Sequence, residues 1–157
     1  MLFRSGQIGI TITGSGVPLD AIRVDYASGS IQREVLARAD QDVVIIEGQG
    51  ALIHPGSTAN LPLLRGSMPT HLVLCHRANA TSLQRLPSVK IPPLAPYIRL
   101  YEDLASACGT FPRPQTAGIA LNTSMLATEG EALEACRAIE SELGLPCVDP
   151  VRHGMAR

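Results

Sequence analysis

Hydrophobic positions along the chain follow two spacings, one typical of strands and one typical of helices. Alternating or unbroken apolar residues predict strands over 8–13, 43–46, 72–75 and 117–121, and a last edge strand over 147–149. Apolar residues three to four positions apart predict helices over 19–39, 61–66, 94–108 and 129–143. This alternation of strands and helices indicates an α/β fold, with a mostly parallel sheet flanked by helices.

Several segments carry more specific expectations. The β-branched run 43–46 predicts a strand that is buried on both faces, as in a parallel sheet. Gly29 lies inside a predicted helix, where it disfavours helix formation, so we expect it to permit close packing or a break. Residues 77–96 contain four prolines and predict a connector between two of these elements.

The charge balance excludes some classes of partner. The 157 residues include 13 Lys+Arg and 14 Asp+Glu, a formal net charge of −1. A nucleic-acid-binding protein usually presents a basic face, so no nucleic-acid partner is expected. No apolar run reaches the roughly 18 residues of a membrane-spanning helix, so no membrane partner is expected either.

The cysteines and the first residues bear on location and on domain organisation. Four cysteines without a C-x-x-C pair indicate reduced, mostly buried thiols, and we expect a cytoplasmic protein. Residues 1–5 lack the apolar stretch of a signal peptide. We expect residues 1–5 to be a non-native leader and residues 6–157 to be part of one domain.

Candidate functional residues lie where predicted strands end, since ligands of parallel sheets bind at the carboxyl ends of strands. Glu47 follows a predicted strand, where an acid could hold Mg²⁺ or orient a water molecule, or could simply face solvent. Gly48, Gln49 and Gly50 form a loop whose backbone N–H groups could approach a ligand.

Two histidines are candidates for a general base, because histidine titrates near neutral pH. They are His54, in a loop before a proline, and His76, at the end of a predicted strand. Each could instead order its own loop. No third ligand stands at metal-ligand spacing, so no metal site is predicted. Cys75 and His76 are neighbours on a strand and are expected to point to opposite faces.

Weaker candidates come from the remaining strand and helix ends. Asn122 and Thr123 could bind a base or a carboxylate, or could form a turn. Asp25 could be a site residue, and Arg152 could contact an anion or lie on the surface. The sequence has no G-x-x-x-x-G-K-[ST] segment, so it carries no recognisable phosphate-binding loop.

An ordered set of segments covers nearly the whole chain from Gly6 onward. It comprises 6–10, 14–17, 44–52 with His54-Pro55, 72–76, 91–94, 118–123, 144–146 and 149–152. Together these segments resemble the C-terminal domain of the DgcN-type proteins, long catalogued as a domain of unknown function. The resemblance implies a P-loop NTPase-like fold similar to dethiobiotin synthetase, with the P-loop strand and helix missing from this chain.

The resemblance also implies an activity. Family members transfer an acetyl group from acetyl-CoA to the amino group of D-glutamate or a related D-amino acid. The expected catalytic residues are Glu47, His54 and His76. The expected substrate- or cofactor-binding residues are Gln7, Asp25, Gly48, Gln49, Gly50, Asn122, Thr123 and Arg152. Arg77 is a further candidate for holding the substrate carboxylate.

Two alternatives stay open beside the acetyltransferase. One is an ATP- and Mg²⁺-dependent ligase or kinase-like enzyme, in which Glu47 would bind Mg²⁺. The other is a non-catalytic module that completes an oligomer, and a homo-oligomer stays open in any case. Family members are about twice this length, so we expect this chain to be inactive alone. Ile8 and Arg77 depart from the family pattern near the presumed ligand and put the substrate in question.

Overall fold

The computed structural model describes residues 2–3 and 7–153. The chain divides into two compact units, Met1–Pro69 and Thr70–Arg157. Strands pair in parallel in both units, which confirms the α/β fold with a mostly parallel sheet. No helix of the described residues is long and apolar enough to cross a membrane.

The first unit consists of short elements around a small apolar core. In chain order they are β1 Leu2–Phe3, α1 Gln7–Thr13, a 3-10 turn Leu19–Ala21, α2 Val24–Leu36, β2 Ile45–Ile46 and α3 Asn60–Ser67. Strands β1 and β2 pair in parallel. The core contains five buried residues from the turn region and both longer helices: Val17, Leu19, Ala27, Ile31 and Leu63. The expectation of a non-native leader over 1–5 stays a prediction, and Met1, Arg4 and Ser5 lie outside the described residues.

Helices α2 and α3 approach each other closely at one glycine. A Cβ atom on Gly66 would overlap the carbonyl oxygen of Ser28 and lie 2.6 Å from Cβ of Ile31. Only glycine fits there without displacing α2. Gly29, in contrast, lies inside the continuous helix α2 with no atom within 4 Å of its ideal Cβ position. The prediction that Gly29 permits close packing or a break is therefore wrong.

The predicted strand over 8–13 is also wrong, because these residues belong to helix α1. The backbone N–H of Gly14 donates to the carbonyl oxygen of Ile10 at 2.7 Å, and Gly14 has a φ of +67°. A glycine in this conformation commonly ends a helix. Ile8 and Ile12 are four residues apart and both are 79% exposed. Alternating isoleucines therefore also satisfy the spacing of one helix face.

Two further expectations for the first unit need correction. The predicted helix over 19–39 is a 3-10 turn followed by the shorter helix α2, since Ile22 and Arg23 adopt extended backbone angles. The strand predicted over 43–46 contains only Ile45–Ile46 and is not buried on both faces. Ile45 is 59% exposed.

The second unit contains the longer strands and the most regular helices. Its elements are β3 His71–Arg77, β4 Ser82–Leu83, β5 Leu86–Lys90, α4 Leu94–Ser106, β6 Gln115–Asn122, α5 Glu129–Leu143 and β7 Cys147–Val148. A parallel sheet has the order β3-β6-β7, with Leu74 opposite Ile119 and Ile119 opposite Cys147. Strands β4 and β5 form an antiparallel pair inside the predicted connector 77–96, where the prolines obscured them.

One face of this parallel sheet carries an apolar core. Ile119, Leu121 and Cys147 pack there with Ile98 of α4 and Cys136 of α5. Along β3 the side chains alternate, so that Val73 and Cys75 are exposed while Leu74 and His76 are half-buried. The prediction of a strand over 72–75 is confirmed, but only one face of this strand is shielded by the described residues.

The predicted bounds of helix α5 are confirmed. Both of its ends are determined by residues close in sequence. Thr128 Oγ1 accepts a hydrogen bond from the backbone N–H of Glu131, and the Glu131 carboxylate accepts one from the backbone N–H of Thr128. This reciprocal capping box satisfies two N–H groups that the helix itself cannot. Gly144 ends the helix with a φ of +65°.

The cysteines divide into two pairs. All four are free thiols; Cys136 and Cys147 are buried, whereas Cys75 and Cys108 are exposed. Burial raises the pKa of the Cys147 thiol to about 12, with a smaller contribution from Cys136. The expectation of reduced thiols agrees with the structure, and the expectation that most are buried is wrong for two of the four.

Candidate functional site

An open depression of about 690 Å³ lies at the carboxyl end of the parallel sheet in the second unit. Its walls come from the ends of two strands and from the segment after β7: Cys75–Arg77, Ala120–Asn122, Ser124 and Asp149–Arg152. Parallel strands end at the same edge, so residues far apart in sequence meet there. Small-molecule sites commonly measure roughly 300–1,000 Å³, so the depression has room for a metabolite.

His76 is the histidine of β3 that lines this depression. It is half-buried, and burial alone lowers the pKa of its imidazole. Because burial penalises the charged ring, His76 is neutral at neutral pH and can accept a proton. Cys75, the preceding residue, also lines the depression. The alternation along β3 agrees with the prediction that these neighbours point to opposite faces.

Two arginines at the depression have different surroundings. Arg152 donates from Nη2 to the carbonyl oxygens of Thr123, at 3.3 Å, and Leu126, at 3.1 Å. Its guanidinium therefore fastens the loop after β6. Arg77 is exposed, and its Nη1 donates to Oε1 of Gln84 at 3.1 Å. Its partner is a neutral amide, and no carboxylate of the described residues pairs with it, so Arg77 is the better placed of the two to hold an anion.

The end of β6 is held by a buried carboxylate that sequence reasoning missed. Asp149 is 3% exposed, and its Oδ2 accepts hydrogen bonds from the backbone N–H, at 2.9 Å, and the hydroxyl of Thr123. Its Oδ1 accepts from the backbone N–H groups of Val151 and Arg152, each at 2.9 Å. The Asp149-Pro150 pair after a strand is the one sequence signal, because aspartate often bonds the backbone two residues ahead.

Asn122 and Thr123, both predicted binding residues, have separate positions. Asn122 is exposed at the depression, and its Oδ1 accepts from the backbone N–H of Ser124 at 2.9 Å. That bond leaves the amide nitrogen of Asn122 as the group available to a ligand. Thr123 is 0% exposed and binds Asp149. Its side chain supports the wall of the depression from beneath.

The glycine-bearing loop predicted over 47–56 belongs to the first unit. Glu47 and Gln49 are half-buried, and Gly50 has a φ of +74°. A Cβ atom on Gly50 would overlap Oγ of Ser57, which accepts from Asn60 Nδ2 at 2.7 Å. Gly50 is therefore required by the folding of its own loop. A Cβ atom on Gly48 would meet nothing within 4 Å.

The other predicted residues of the first unit have simpler environments. His54 is exposed, and its Nδ1 accepts from the backbone N–H of Gly56 at 3.1 Å. It thus orders its own turn and leaves Nε2 available. Asp25 is exposed in the first turn of α2, where a negative charge favours the helix. Gln7 lies in α1, and its side chain is outside the described part of the chain.

The structure thus groups the predicted residues by unit. His76, Asn122 and Arg152 line one depression, and Thr123 lies beneath it. Glu47, Gly48, Gln49, Gly50 and His54 share one loop of the first unit. Across residues 2–3 and 7–153, no group of three or more His, Cys, Asp or Glu side chains could hold a metal ion.

Comparison with known proteins gives a consistent set of matches. The model of a domain of unknown function, the DUF1611 C-terminal P-loop domain, matches residues 1–157. A protein from a Pseudoalteromonas species named D-glutamate N-acetyltransferase is 39% identical over 155 residues, which are 98% of this chain and 46% of that protein. A protein of the same name from Tritonibacter scottomollicae is 39% identical over 157 residues, 99% of this chain and 46% of that protein.

A solved structure is also similar. The crystal structure of a DUF1611 family protein from Anabaena variabilis ATCC 29413 superposes with a TM-score of 0.95 at 50% identity. The match covers 98% of this chain and 45% of the other. The chain therefore spans about half the length of the curated relatives and of the solved structure that it matches.

Proposed function

Because the chain belongs to the DUF1611 family of C-terminal P-loop domains, we propose that it is part of an N-acetyltransferase that acts on D-glutamate or a related D-amino acid. The names of two relatives at 39% identity support this proposal. Acetyl-CoA is the proposed acyl donor, and a cytoplasmic location is part of the same proposal. Since the chain spans about half of those relatives, the proposed activity is that of a longer protein.

The observation that carries the proposal is that His76 and Arg77 both line the depression. Acyl transfer to an amine needs a base, because an ammonium group has no lone pair. His76, kept neutral by burial, is suited to accept that proton. Arg77 carries the charge that a substrate carboxylate requires.

The reaction balances with these two groups. A new N–C bond replaces the thioester C–S bond, and the bonding pair of the latter leaves with sulfur. One proton of the ammonium passes to His76 and then to water, and a second passes to the departing thiolate. The developing oxyanion needs N–H donors. A second candidate site lies wholly in the first unit, with Glu47 or His54 as the base and the backbone N–H groups of Gly48–Gly50 as the oxyanion donors.

The test is an acetylation assay with the chain joined to the N-terminal part of a curated relative. D-glutamate and acetyl-CoA are supplied, and N-acetyl-D-glutamate is measured by mass spectrometry. His76→Gln should lower the rate by about 10²-fold or more, the usual contribution of a general base. His71→Gln is the matched control, since His71 lies at the opposite end of β3 and bonds only Thr70 among the described residues.

The outcomes separate the proposal from its alternatives. Full activity of the His76→Gln protein would move the base to Glu47 or His54 and overturn the role of His76. No product with acetyl-CoA, together with ADP release when ATP–Mg²⁺ is supplied, would reject the acetyltransferase. The ATP-dependent ligase or kinase would then be the better hypothesis.

A further inference from the structure

Two carboxylates hold the two ends of strand β6 through the same pattern of hydrogen bonds to a threonine. Near its start, Oε1 of Glu102 accepts from the backbone N–H of Thr116, at 3.1 Å, and from its hydroxyl, at 2.9 Å. Just after its end, Oδ2 of Asp149 accepts from the backbone N–H and the hydroxyl of Thr123. The same chemistry thus occurs at the edge that bears the depression and at the edge that does not.

The carboxylate at the depression, Asp149, makes further hydrogen bonds besides those to Thr123. Asp149 also accepts from the backbone N–H groups of Val151 and Arg152 through its second oxygen. One side chain therefore joins the loop after β6 to the segment after β7, and both of these line the depression. The other oxygen of Glu102, in contrast, accepts a hydrogen bond from Arg113, whose side chain is 44% exposed.

The hydrogen bonds keep Asp149 charged despite its burial. Burial on its own raises the pKa of this carboxyl, but bonds from Thr123, Arg152 and Val151 outweigh it and hold the pKa well below the usual range. A carboxylate that accepts several N–H groups has a fixed orientation, since each oxygen lone pair is directed at a donor. The position of the donors then follows from the position of Asp149.

We propose that Asp149 is a positioning residue for ligand binding in the depression, because it sets the spacing between the walls that Asn122 and Val151 contribute. The ligand class rests on the proposed function, and acetyl-CoA is the probe. Arg152 adds a further link between the same two segments, since its guanidinium donates to the carbonyl oxygens of Thr123 and Leu126. Asp149 itself touches no ligand in this proposal.

The test compares Asp149→Asn with Glu102→Gln in the chain joined to the N-terminal part of a curated relative, as in the acetylation assay. Each change replaces a carboxylate that holds a threonine at one end of β6, but only the first lies at the depression. Affinity for acetyl-CoA is measured by calorimetry, and backbone exchange by hydrogen–deuterium mass spectrometry. Asp149→Asn should weaken binding of acetyl-CoA by about tenfold or more. This is the loss expected when one hydrogen bond to the ligand is no longer well aligned. Glu102→Gln should leave affinity within about twofold.

The exchange measurement has its own expected result. Asp149→Asn should speed exchange in segments 122–124 and 149–152, while the remainder of the second unit exchanges as in the unmodified protein. If exchange there is unchanged, or rises uniformly, the proposal is overturned. If the loops loosen but affinity for acetyl-CoA is unaltered, Asp149 is structural only and the proposal is again overturned.

Failure of the proposed function gives a different pattern. In that case the unmodified protein binds no acetyl-CoA, which overturns the positioning role for this ligand, and the exchange result shows only whether Asp149 holds the two segments together. Thr123→Val supplies a second variant if Asp149→Asn does not fold. It removes one of the four hydrogen bonds to Asp149 and should loosen the same two segments to a smaller extent. A folded Thr123→Val protein with exchange identical to the unmodified chain would contradict the proposal.

Discussion

Replacing Asp149 by asparagine should destabilise the folded chain by about 3 kcal/mol at neutral pH. The carboxylate accepts four hydrogen bonds, two at each oxygen. An amide in the same place keeps one oxygen, so Val151 and Arg152 can retain their acceptor. The hydroxyl of Thr123 can rotate to accept from the amide NH₂. The backbone N–H of Thr123 then has no acceptor.

The magnitude follows from that count. A buried donor without an acceptor costs about 1–3 kcal/mol, and hydrogen bonds to a charged group contribute about 1.5–3 kcal/mol against about 1 for neutral ones. Asp149 is 3% exposed but lies just beneath the surface, so values near the lower end of each range apply. One donor left without an acceptor, at about 1.5 kcal/mol, and three bonds weakened by about 0.5 kcal/mol each then give about 3 kcal/mol.

The effect should depend on pH in a defined direction. The folded pKa of Asp149 lies below its unfolded value, so its stabilisation is complete above the unfolded pKa and is lost as pH falls through the folded pKa. With an unfolded pKa of about 3.9, the contribution shrinks by about 1.3 kcal/mol on going from pH 7 to about pH 3. The cost of Asp149→Asn should therefore fall to about 1.7 kcal/mol there.

The assay is urea unfolding of both proteins at the two pH values. Asp103→Asn is the control, since Asp103 pairs with Arg113 at the surface and its side chain is 48% exposed. An exposed pair of this kind contributes about 0–1 kcal/mol. A cost for Asp149→Asn below about 1 kcal/mol, or one that grows on acidification, would refute the hydrogen-bond argument.

Two further predictions concern the glycines of the first unit and the thiols. Gly66→Ala should destabilise by about 1–3 kcal/mol, the usual cost of overpacking, because its Cβ would overlap the backbone of α2. A Cβ atom at Gly29 has free space, so Gly29→Ala should stabilise the fold by up to about 1 kcal/mol. A melting temperature higher for Gly66→Ala than for Gly29→Ala would contradict the close contact between α2 and α3. Toward a thiol reagent at pH 8, Cys75 should react in the folded state, whereas Cys147 should react only after unfolding. Rapid labelling of Cys147 without denaturant would show that its core opens.

Local signals explain which elements could be predicted from the sequence. Helix α5 has a capping box at Thr128 and a terminating glycine at Gly144, so its bounds follow from neighbouring residues alone. Strand β6 is an apolar run in a well-packed core. Helix α1 was predicted as a strand because alternating isoleucines fit both periods. The φ of Gly14, which separates the two readings, depends on the folded backbone.

Contacts distant in sequence explain what could not be predicted about the site. The rule that ligands bind at strand ends identified His76 and Asn122, which do line one depression. It did not identify Asp149, whose role depends on Thr123, 26 residues earlier. It also did not distinguish the two arginines, since the carbonyl partners of Arg152 come from the loop after β6.

The charge at the depression follows from how Asp149 is satisfied. Each of its oxygens accepts two donors of the chain, so its carboxylate has no lone pair left to bind a cationic ligand. Arg152 is turned to carbonyl oxygens, and burial keeps His76 neutral. Among the rim residues that the structure describes, Arg77 is then the group whose charge a ligand can neutralise. An anionic ligand fits such a rim better than a cationic one, and both proposed substrates are anions: acetyl-CoA through its phosphates and D-glutamate through its carboxylates.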